Sequence, residues 1–374
     1  MKKIIIVEPE RRNIEHLMFN SSVIQILYSI FYDANIVFYA DKEHAELIEK
    51  ETKIKLKKRH LDIKINKQKT IQKVITDFIC MLRFARGKPD AIVYLSATPS
   101  ILLLSKVFLK KIAIYYFFHD NLELLNEKYN IFNYFYWLRP ALNIKRNNVA
   151  HIVLSESIKM ELEKVAPGVS FEAIDLPCHS SIVDMSSRVI PPVMNIGAIG
   201  FGHTKKGSHL IFELENLVSI SRRVQLHHIG QFKDNKILIP NDTNVKIHGG
   251  NRPLCPEEFN LQIEQMYYCI FFYPKHSYKL TASGAIFDAL VRLKPVIAMR
   301  NAYFEYIFSK MGNIGYLCDS IEEMSIIINT LSGQDESDYF TQQQNIKIGL
   351  KKFSVEIIER QMKKIISATE NMYD

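Results

Sequence analysis

A Ser-Gly-Ala turn stands directly before a helical pattern in the C-terminal half of the chain, at Ser283, Gly284 and Ala285. It belongs to the segment Tyr273–Ala298, whose apolar pattern predicts a strand, a loop, a helix and a second strand. A helix that begins at such a turn presents unpaired backbone amides and the positive end of its dipole. These groups can bind a phosphate without a metal ion. The alternative is an ordinary αβ connection in which Ser283 is only an N-cap.

A second glycine-rich turn lies upstream, in the segment Ala198–Gly207. It follows a short apolar strand predicted over Val193–Gly197 and precedes another helical pattern. Its glycines would let the backbone approach a ligand closely. Lys205 and Lys206 would supply cationic donors to an anion. Two turns of this kind in one half of the chain favour a site for a diphosphate.

Four segments, in order, resemble the C-terminal half of the GT-B glycosyltransferases, most closely those of family four. The matching segments are Ile196–Gly207, Leu226–Gly230, Val245–Gly249 and Tyr273–Ala298. The resemblance covers residues 190–310 well and the N-terminal half loosely. It implies an α/β fold of GT-B architecture, with two Rossmann-like doubly wound domains that face a central cleft. It also implies a nucleotide-diphosphate sugar as donor, with no metal and no other cofactor.

The resemblance assigns the phosphates and the ribose of the donor to particular residues. The residues implied for the diphosphate are Lys206, Lys205, Ser283, Gly284 and Ala285. The family's diphosphate arginine corresponds to Gly200 in this chain, so Lys205 or His203 would replace its charge. The ribose hydroxyls fall to Asp288, which is one methylene shorter than the usual glutamate.

Contacts to the donor sugar and the nucleobase also follow from the resemblance. The family's first acidic residue corresponds to Leu280, and we expect no carboxylate nearby to replace it. The residues implied for the sugar are then Tyr278, Lys279 and Thr281. The nucleobase is expected on a loop after the strand that ends at Ile247, formed by His248, Gly249, Gly250 and Asn251. The alternative for that loop is an ordinary Gly-Gly turn.

Polar residues follow the predicted strands of the N-terminal half, where ligands bind in open α/β sheets. Glu8 follows the first strand, and His119 and Asp120 follow a later one. A histidine in this place is often only a structural donor, but the resemblance puts His119 near the anomeric carbon. Glu8 or Asp120 would instead be the general base of an inverting reaction. The candidate contacts to the acceptor are His16, Ser96 and Thr98.

Alternating apolar segments and helical patterns predict a parallel sheet in the N-terminal half. The predicted strands are Ile4–Val7, Ile36–Ala40, Ala91–Leu95, Ile112–Phe118 and Ala150–Ser155. The predicted helices are Phe19–Tyr32, Glu43–Lys50, Ile71–Ala85, Pro99–Leu109 and Ser157–Val165. The aromatic segment Tyr129–Trp137 is either buried core or an amphipathic patch that contacts a lipid or a partner.

The expected domain boundary lies where this periodicity lapses, in the Ser- and Pro-rich stretch 175–192. An acceptor-binding domain would span residues 1–180, and a domain that binds the nucleotide sugar would span 190–350. The remaining residues, 351–374, form a predicted helix from Ser354 to Thr369. The resemblance implies that this helix crosses back to the N-terminal domain.

Composition indicates a two-domain enzyme without a membrane span. The 374 residues are 47% hydrophobic, yet no apolar run approaches the ~20 residues that a bilayer requires. The apolar run at Ile4–Val7 is too short for a signal peptide, so we expect a cytoplasmic protein. The five cysteines lack C-x-x-C spacing, so neither a disulfide framework nor a zinc site is predicted.

The formal net charge of +8 favours an acidic partner. The stretch Lys50–Lys73 contains ten Lys or Arg against two acidic residues, and the alternation over Lys53–Lys57 predicts a strand with one basic face. Such a run is often only solvated surface. The alternative is attraction to an anionic membrane surface. Nucleic acid is disfavoured, because no recognition motif accompanies the charge.

These features together predict a glycosyltransferase of bacterial surface polysaccharide synthesis, such as LPS O-antigen or capsule. It would transfer a sugar to a saccharide or a lipid-linked saccharide, at the inner face of the cytoplasmic membrane. The resemblance implies a retaining reaction by front-face attack. A GT-B sugar-nucleotide epimerase is one alternative. Because the family's acidic residue and arginine are missing at Leu280 and Gly200, a non-catalytic partner subunit is another.

Overall fold

The computed structural model describes residues 1–61, 70–96, 98–119, 121–178, 193–218, 224–276, 278–331 and 336–371. The chain forms two compact units. Unit 1 comprises Met1–His179, Leu280–Ala282 and Phe353–Asp374. Unit 2 comprises Ser180–Lys279 and Ser283–Lys352.

Parallel strands form the sheet of unit 1, as predicted from the alternating pattern. In the described part of the unit, seven strands lie in the order β3-β2-β1-β4-β5-β6-β7. Their bounds are β1 Lys3–Val7, β2 Asn35–Ala40, β3 Lys58–His60, β4 Ala91–Tyr94, β5 Ala113–Phe118, β6 Val149–Val153 and β7 Glu172–Ala173.

Helices cover the two faces of this sheet. Their bounds are α1 Leu17–Ile30, α2 Lys42–Thr52, α3 Thr70–Ala85, α4 Pro99–Phe108, α5 Leu138–Asn143, α6 Glu156–Val165 and α13 Val355–Asn371. Several begin at an N-cap whose side chain accepts a hydrogen bond from the helix backbone, as predicted for short polar residues. Thr98 caps α4 in this way, with Pro99 at the first helical position.

Strand alternation divides the core of unit 1 into two layers. Ile4 and Ile6 of β1 face one buried cluster, and Ile5 and Val7 face the other. The first cluster also contains Ile358 and Met362, so α13 packs on the same layer as α1. The Gln361 side chain hydrogen-bonds both the backbone N–H and the carboxylate of Asp175.

Unit 2 has a parallel sheet of the same kind. Six strands lie in the order β10-β9-β8-β11-β12-β13. Their bounds are β8 Met194–Ile199, β9 Val224–Gln231, β10 Lys246–Gly250, β11 Tyr268–Phe271, β12 Val296–Met299 and β13 Gly315–Cys318. The helices are α7 Leu210–Val218, α8 Pro256–Glu264, α9 Gly284–Leu290, α10 Ala302–Met311, α11 Ile321–Leu331 and α12 Glu336–Leu350.

In both units the strand order reverses at one point. The reversal lies between β1 and β4 in unit 1, and between β8 and β11 in unit 2. Loops on either side of a reversal lead in opposite directions, which leaves a crevice at the carboxyl ends of the two strands. The residues after β8 and β11 are therefore the ones that the fold makes available to a ligand of unit 2.

Two local expectations were wrong. The strand β10 runs through His248 to Gly250, because β9 continues to Gln231 and pairs with it; the predicted loop therefore begins only at Asn251. The strand predicted over Lys53–Lys57 begins instead at Lys58, since Lys53 is the left-handed cap of α2.

The exposure of the basic segment still follows its alternation. Lys53, Lys55 and Lys57 are exposed, whereas Leu56 is buried. Of the stretch Lys50–Lys73, residues 62–69 lie outside the described residues, as does most of the expected linker 175–192. Within the described ranges, no helix combines the length and the apolar character needed to cross a bilayer.

We predict that Gly230→Ala destabilises unit 2 strongly. Gly230 ends the buried part of β9 with a φ of 142°, and a Cβ there would lie 2.1 Å from the carbonyl oxygen of Gly200. The expected loss is about 2 kcal/mol or more in the free energy of unfolding, measured by urea denaturation. Gly284→Ala is the control, because its Cβ would meet nothing within 4 Å. Equal midpoints for the two variants would contradict the close approach of these loops.

Candidate active site

The two predicted phosphate-binding turns lie together at the crevice of unit 2. A Cβ on Gly200, in the loop after β8, would lie 3.5 Å from the Cβ of Ala285. A Cβ on Gly207 would lie 2.6 Å from the carbonyl oxygen of Phe272, just after β11. The loop that carries Lys205 and Lys206 therefore packs against the strand end and the helix start that the sequence predicted.

Lys206 is an unpaired cation at this point. Its Nζ lies 5.6 Å from the ring centroid of Tyr273 and 5.9 Å from that of Tyr278. No carboxylate pairs with Lys206 in the part of the chain that the structure describes. The side chain is half-buried, whereas Lys205 is exposed. An ammonium beside two aromatic faces, without a counter-ion, is suited to bind an anion.

Asp234 holds the loop that carries Lys206, and no pattern in the sequence singles it out. Its carboxylate accepts hydrogen bonds from the backbone N–H of Thr204, at 3.2 Å, and from the Thr204 hydroxyl. These bonds, together with one from Lys236 N–H, lower the pKa of Asp234 to about 2. His203 stabilises the same loop, because its Nδ1 accepts a hydrogen bond from the backbone N–H of Lys205 at 3.0 Å.

Ser283 stands at the N-cap of α9 without capping it. Its hydroxyl donates to the Tyr273 hydroxyl at 3.2 Å, and it makes no capping bond to the helix backbone. Gly284 is exposed, and Ala285 is half-buried. The Ser283 side chain therefore does not act as an N-cap. The first backbone amides of α9 remain available to a ligand.

Asp288 is a half-buried carboxylate on α9. Burial raises its pKa to about 6, and the nearby Arg292 offsets part of that rise. Arg292 donates to the Asp288 carbonyl oxygen at 2.9 Å. Among the described residues, no hydrogen bond reaches the carboxylate itself. A carboxylate kept in this state costs stability, which is common where a ligand later supplies the missing partner.

Of the residues expected at the nucleobase, His248, Gly249 and Gly250 lie on the edge strand β10, and Asn251 follows it. His248 pairs with His227 of β9, with 3.0 Å between His248 Nε2 and His227 Nδ1 and with stacked rings. Burial lowers the pKa of both rings, that of His227 to about 4. Gly249 and Gly250 pair with Gly230 and Gln231, and the carbonyl of Asn251 accepts the Gln231 side chain at 3.1 Å.

The segment expected to contact the donor sugar is divided between the two units. Tyr278 and Lys279 belong to unit 2, and Tyr278 has a positive φ of 56°, which is uncommon for a bulky residue. Leu280 and Thr281 belong to unit 1, where Leu280 is buried in the core.

The expectation that no carboxylate lies near Leu280 was wrong. Within unit 1, the Glu123 carboxylate accepts the Leu280 N–H at 2.7 Å and the Thr281 hydroxyl at 3.4 Å. Glu123 is far from Leu280 in the sequence, so no local pattern could reveal the contact.

Glu8 lies at the strand reversal of unit 1, with a fully engaged carboxylate. It accepts the hydroxyl of Ser96, the Asn20 side chain at 3.1 Å, and the backbone N–H groups of Glu10 and Arg11 at 3.0 and 3.1 Å. Glu8 and Ser96 are thus brought together as the topology predicted, one after β1 and one after β4. The sequence did not reveal Asn20, whose amide also lies 2.9 Å from Nε2 of His44.

His119 lies beside His16 at the end of β5. Its Nε2 is 2.8 Å from the carbonyl oxygen of Leu95, and its ring centroid is 4.5 Å from that of His16. Burial, then the neighbouring His119, lowers the pKa of His16 well below its ordinary value. Asp120 lies outside the described residues.

Thr98 is engaged away from this cluster. Its hydroxyl donates to Asp77 at 2.8 Å and accepts the N–H of Ile101 at the start of α4. Among the described residues, no group of three or more His, Cys, Asp or Glu could hold a metal ion. The described candidates of unit 1 are therefore an imidazole pair, His16 and His119, and a carboxylate, Glu8.

Solved structures with the same architecture cover nearly the whole chain. HepE of Anabaena, in complex with UDP and glucose, is 16% identical with a TM-score of 0.70, over 98% of this chain and 100% of that one. The apo lipopolysaccharide outer core galactosyltransferase WaaB is 14% identical with a TM-score of 0.64, over 98% and 99%. A UDP-N-acetylglucosamine 2-epimerase is 13% identical with a TM-score of 0.56, over 92% and 90%.

These likenesses establish the fold. The chain has the two-domain α/β architecture of the GT-B proteins, with one parallel sheet in each unit. No protein-family model and no curated protein matches the sequence.

We predict that Asp288→Asn makes the free protein more stable at pH 7.5. The folded-state pKa of about 6 lies above the ordinary value of 3.8, so the folded state binds more protons between these values. Stability contributed by the protonated carboxyl is therefore present below about pH 4 and is lost as the pH rises through 6. We expect a gain of about 1–3 kcal/mol at pH 7.5 that vanishes near pH 4.

Urea unfolding at several pH values measures this difference. Asp242→Asn serves as the control, since Asp242 is exposed, and it should change the unfolding midpoint little at any pH. A loss of stability for Asp288→Asn at pH 7.5 would show that the carboxylate has a partner that stabilises its charge.

Proposed function

We propose that this protein is a glycosyltransferase that takes its sugar from a nucleotide-diphosphate sugar. The observation that carries the proposal is Lys206, an unpaired ammonium at the crevice of unit 2. A diphosphate would supply a counter-charge, which no described residue provides there. The relatives in fold support it, because HepE has been solved with UDP, with UDP and glucose, and with UDP-glucose.

The proposed donor-binding domain is residues 190–350, and its donor site lies at the crevice of unit 2. Lys206 and the first amides of α9, at Ser283 to Ala285, bind the diphosphate and stabilise the charge that develops on it as the sugar leaves. Lys205 is a second, more exposed cation. Asp288 accepts the ribose hydroxyls. The edge of β10 from His248 to Asn251 contacts the nucleobase.

The acceptor site of the proposal lies in residues 1–180. His16, Ser96 and Thr98 are the proposed acceptor contacts, and Tyr278, Lys279 and Thr281 contact the donor sugar. In the structure, the hydroxyls of Ser96 and Thr98 donate to Glu8 and Asp77 respectively. The C-terminal segment 351–374, which contains α13, belongs with this domain in the proposal.

We infer a retaining, metal-independent reaction of the family-four type. His119 is the proposed residue beside the anomeric carbon, and the leaving phosphate accepts the acceptor's proton. Glu8 is less available as a general base than the sequence suggested, because its carboxylate oxygens already accept hydrogen bonds from Ser96 and Asn20. Asp120 remains the other candidate base for an inverting reaction.

The proposed acceptor is a saccharide or a lipid-linked saccharide of a bacterial surface polysaccharide, such as LPS O-antigen or capsule. WaaB, a lipopolysaccharide galactosyltransferase, supports this choice by its fold. The reaction would take place in the cytoplasm, at the inner face of the membrane. The basic stretch Lys50–Lys73 would attract the protein to anionic lipid there.

Two alternatives are kept because specific observations favour them. The likeness to a UDP-N-acetylglucosamine 2-epimerase supports an epimerase that needs no acceptor. The replacement of the family's acidic residue and arginine by Leu280 and Gly200 supports a non-catalytic partner subunit. Incubation with sugar nucleotides separates the three: slow release of nucleoside diphosphate indicates a transferase, an epimerised sugar indicates an epimerase, and binding without turnover indicates a partner subunit.

We predict that Lys206→Ala weakens the binding of the nucleotide sugar about tenfold to a hundredfold. A charged hydrogen bond contributes about 1.5–3 kcal/mol, and no second unpaired cation lies equally deep in the described loop. A thermal-shift screen of nucleotides first identifies the donor, since a ligand at 100 times its Kd stabilises by ~2.7 kcal/mol. Calorimetry then compares the variants.

Lys236→Ala is the matched control, because Lys236 is an exposed lysine of the same unit. It should bind the nucleotide as the unchanged protein does. Normal affinity in Lys206→Ala would place the diphosphate elsewhere, and a screen in which no nucleotide shifts the melting temperature would contradict the proposed function itself.

For the basic stretch, we predict that replacing Lys55, Lys57 and Arg59 with Ser lowers binding to anionic vesicles by up to about a hundredfold. Each exposed cation near an anionic surface contributes ~1 kcal/mol, screened over a Debye length of about 8 Å at physiological salt. Lys58 is left unchanged because it pairs with Glu49. Vesicle sedimentation at two salt concentrations measures the effect. If neither added salt nor the substitutions change vesicle binding, the stretch is ordinary solvated surface.

A further inference from the structure

The solvent-facing side of α3 is mostly aliphatic. Ile71, Ile75 and Ile79 recur every four residues and Leu82 continues the line, with each residue between 41% and 73% exposed. This spacing places the four side chains on one face of the helix, in a stripe about 16 Å long. A surface helix normally presents polar residues to water on that side.

The opposite side of α3 is apolar as well. Met81 and Phe84 are fully buried in the core of unit 1. The exposed stripe is therefore not the face of α3 that packs on the core. It is a second apolar face, on the side of the helix opposite to the one that the core already buries.

The apolar surface extends from α3 to the end of α4. The rings of Phe78 and Phe108 lie 5.6 Å apart, which joins the flank of the stripe to the last residue of α4. Phe108 and its neighbour Val107 are both exposed. Contiguous exposed apolar surface of this kind usually marks an interaction site.

Positive charge borders this surface, and no exposed negative charge lies on its two helices. Arg83 and Arg86 are exposed at the C-terminal end of the stripe, and Lys110 and Lys111 are exposed after Phe108. The sequence of α4 contains no acidic residue. The acidic residue of α3, Asp77, is buried and accepts hydrogen bonds from Thr98, Ser100 and Tyr134. The complementary partner is therefore apolar and anionic.

We propose that α3 lies in the headgroup layer of an anionic bilayer, with the stripe of Ile71, Ile75, Ile79 and Leu82 facing the acyl chains. The border of Arg83, Arg86, Lys110 and Lys111 contacts lipid phosphates. An aliphatic stripe flanked by Lys and Arg is the pattern of helices that lie in a membrane interface. This inference rests on the membrane contact of the proposed function, and it adds an apolar helix that inserts into the lipid.

A single tryptophan placed on the stripe tests the insertion directly. The chain has one tryptophan, Trp137, so Ile79→Trp in a Trp137→Phe background gives a lone reporter on α3. With vesicles that contain phosphatidylglycerol, its emission should shift to shorter wavelength and be quenched by brominated acyl chains. With neutral phosphatidylcholine vesicles, binding should be much weaker, because the cationic border then has no partner.

A pair of double variants tests the energetic role of the stripe. Ile75→Gln with Ile79→Gln should lower partitioning into anionic vesicles on the order of tenfold, since glutamine keeps the helix but loses the apolar contact. The control is Ile326→Gln with Ile348→Gln, on α11 and α12 of unit 2. These isoleucines are 62% and 60% exposed, close to those of α3, and their replacement should leave partitioning unchanged.

Several outcomes would overturn the proposal. A reporter at position 79 whose emission is unchanged on bound vesicles would exclude insertion of α3, as would equal partitioning of the two double variants. Conversion of a dimer to a monomer by the α3 variant in sedimentation, without any effect on vesicles, would show that the stripe binds a second copy. The thermal-shift screen with nucleotides needs no lipid, so failure of the donor site and failure of this membrane contact are read separately.

Discussion

The reversal of strand order between β8 and β11 is the constraint on which the rest of unit 2 depends. Right-handed crossovers carry the chain to opposite sides of the sheet on the two sides of a reversal, so no crossover fills the space above these strand ends. Gly200, Lys206 and Ser283 all stand on the loops that border that space. Unit 1 has the same reversal between β1 and β4, but there Ser96 and Asn20 surround the Glu8 carboxylate with buried hydrogen bonds. One topology thus produces an open cationic end in one unit and a satisfied polar cluster in the other.

Two charged side chains that lack a hydrogen-bond partner within the described ranges, Lys206 and Asp288, lie at the crevice of unit 2. Elsewhere, buried cations are supplied with acceptors: Lys106 donates to the carbonyls of Ala141, Leu142 and Ile144, and Lys294 donates to that of Glu264. Lys206 and Asp288 differ, since Lys206 has no counter-ion in the part of the chain that the structure describes and burial raises the pKa of Asp288 to about 6. Both lie in the loop and helix that border the crevice. A protein that gives Lys106 and Lys294 acceptors but leaves the side chains of Lys206 and Asp288 without a hydrogen-bond partner among the described residues stands to gain binding energy from a ligand that supplies those partners.

Local patterns predicted what depends on local physics. Short apolar segments predicted the strands at the centre of both sheets, and the Ser-Gly-Ala turn predicted the start of α9. Both features depend on residues that are neighbours in the sequence. Asp234, Asn20 and Glu123 escaped prediction because each acts through a contact with a residue distant in sequence. The length of β10 was missed for the same reason, since its partner β9 decides where it ends. The pattern over Ile71–Ala85 predicted α3, yet could not tell which of its two apolar sides would meet the core.

The placement of α13 has a consequence for how the protein is made. Its Ile358 and Met362 complete the same apolar layer as Val23 and Leu27 of α1, although almost the whole chain separates them. Synthesis from the N-terminus therefore yields the strands of unit 1 long before the helix that covers them, whereas the segments of unit 2 emerge close together in time. Long-range closure of this kind slows folding and leaves apolar surface uncovered meanwhile. The apolar layer of unit 1 therefore stays partly exposed to solvent while unit 2 is translated. We expect chaperones that bind exposed apolar segments to bind the growing chain at this stage.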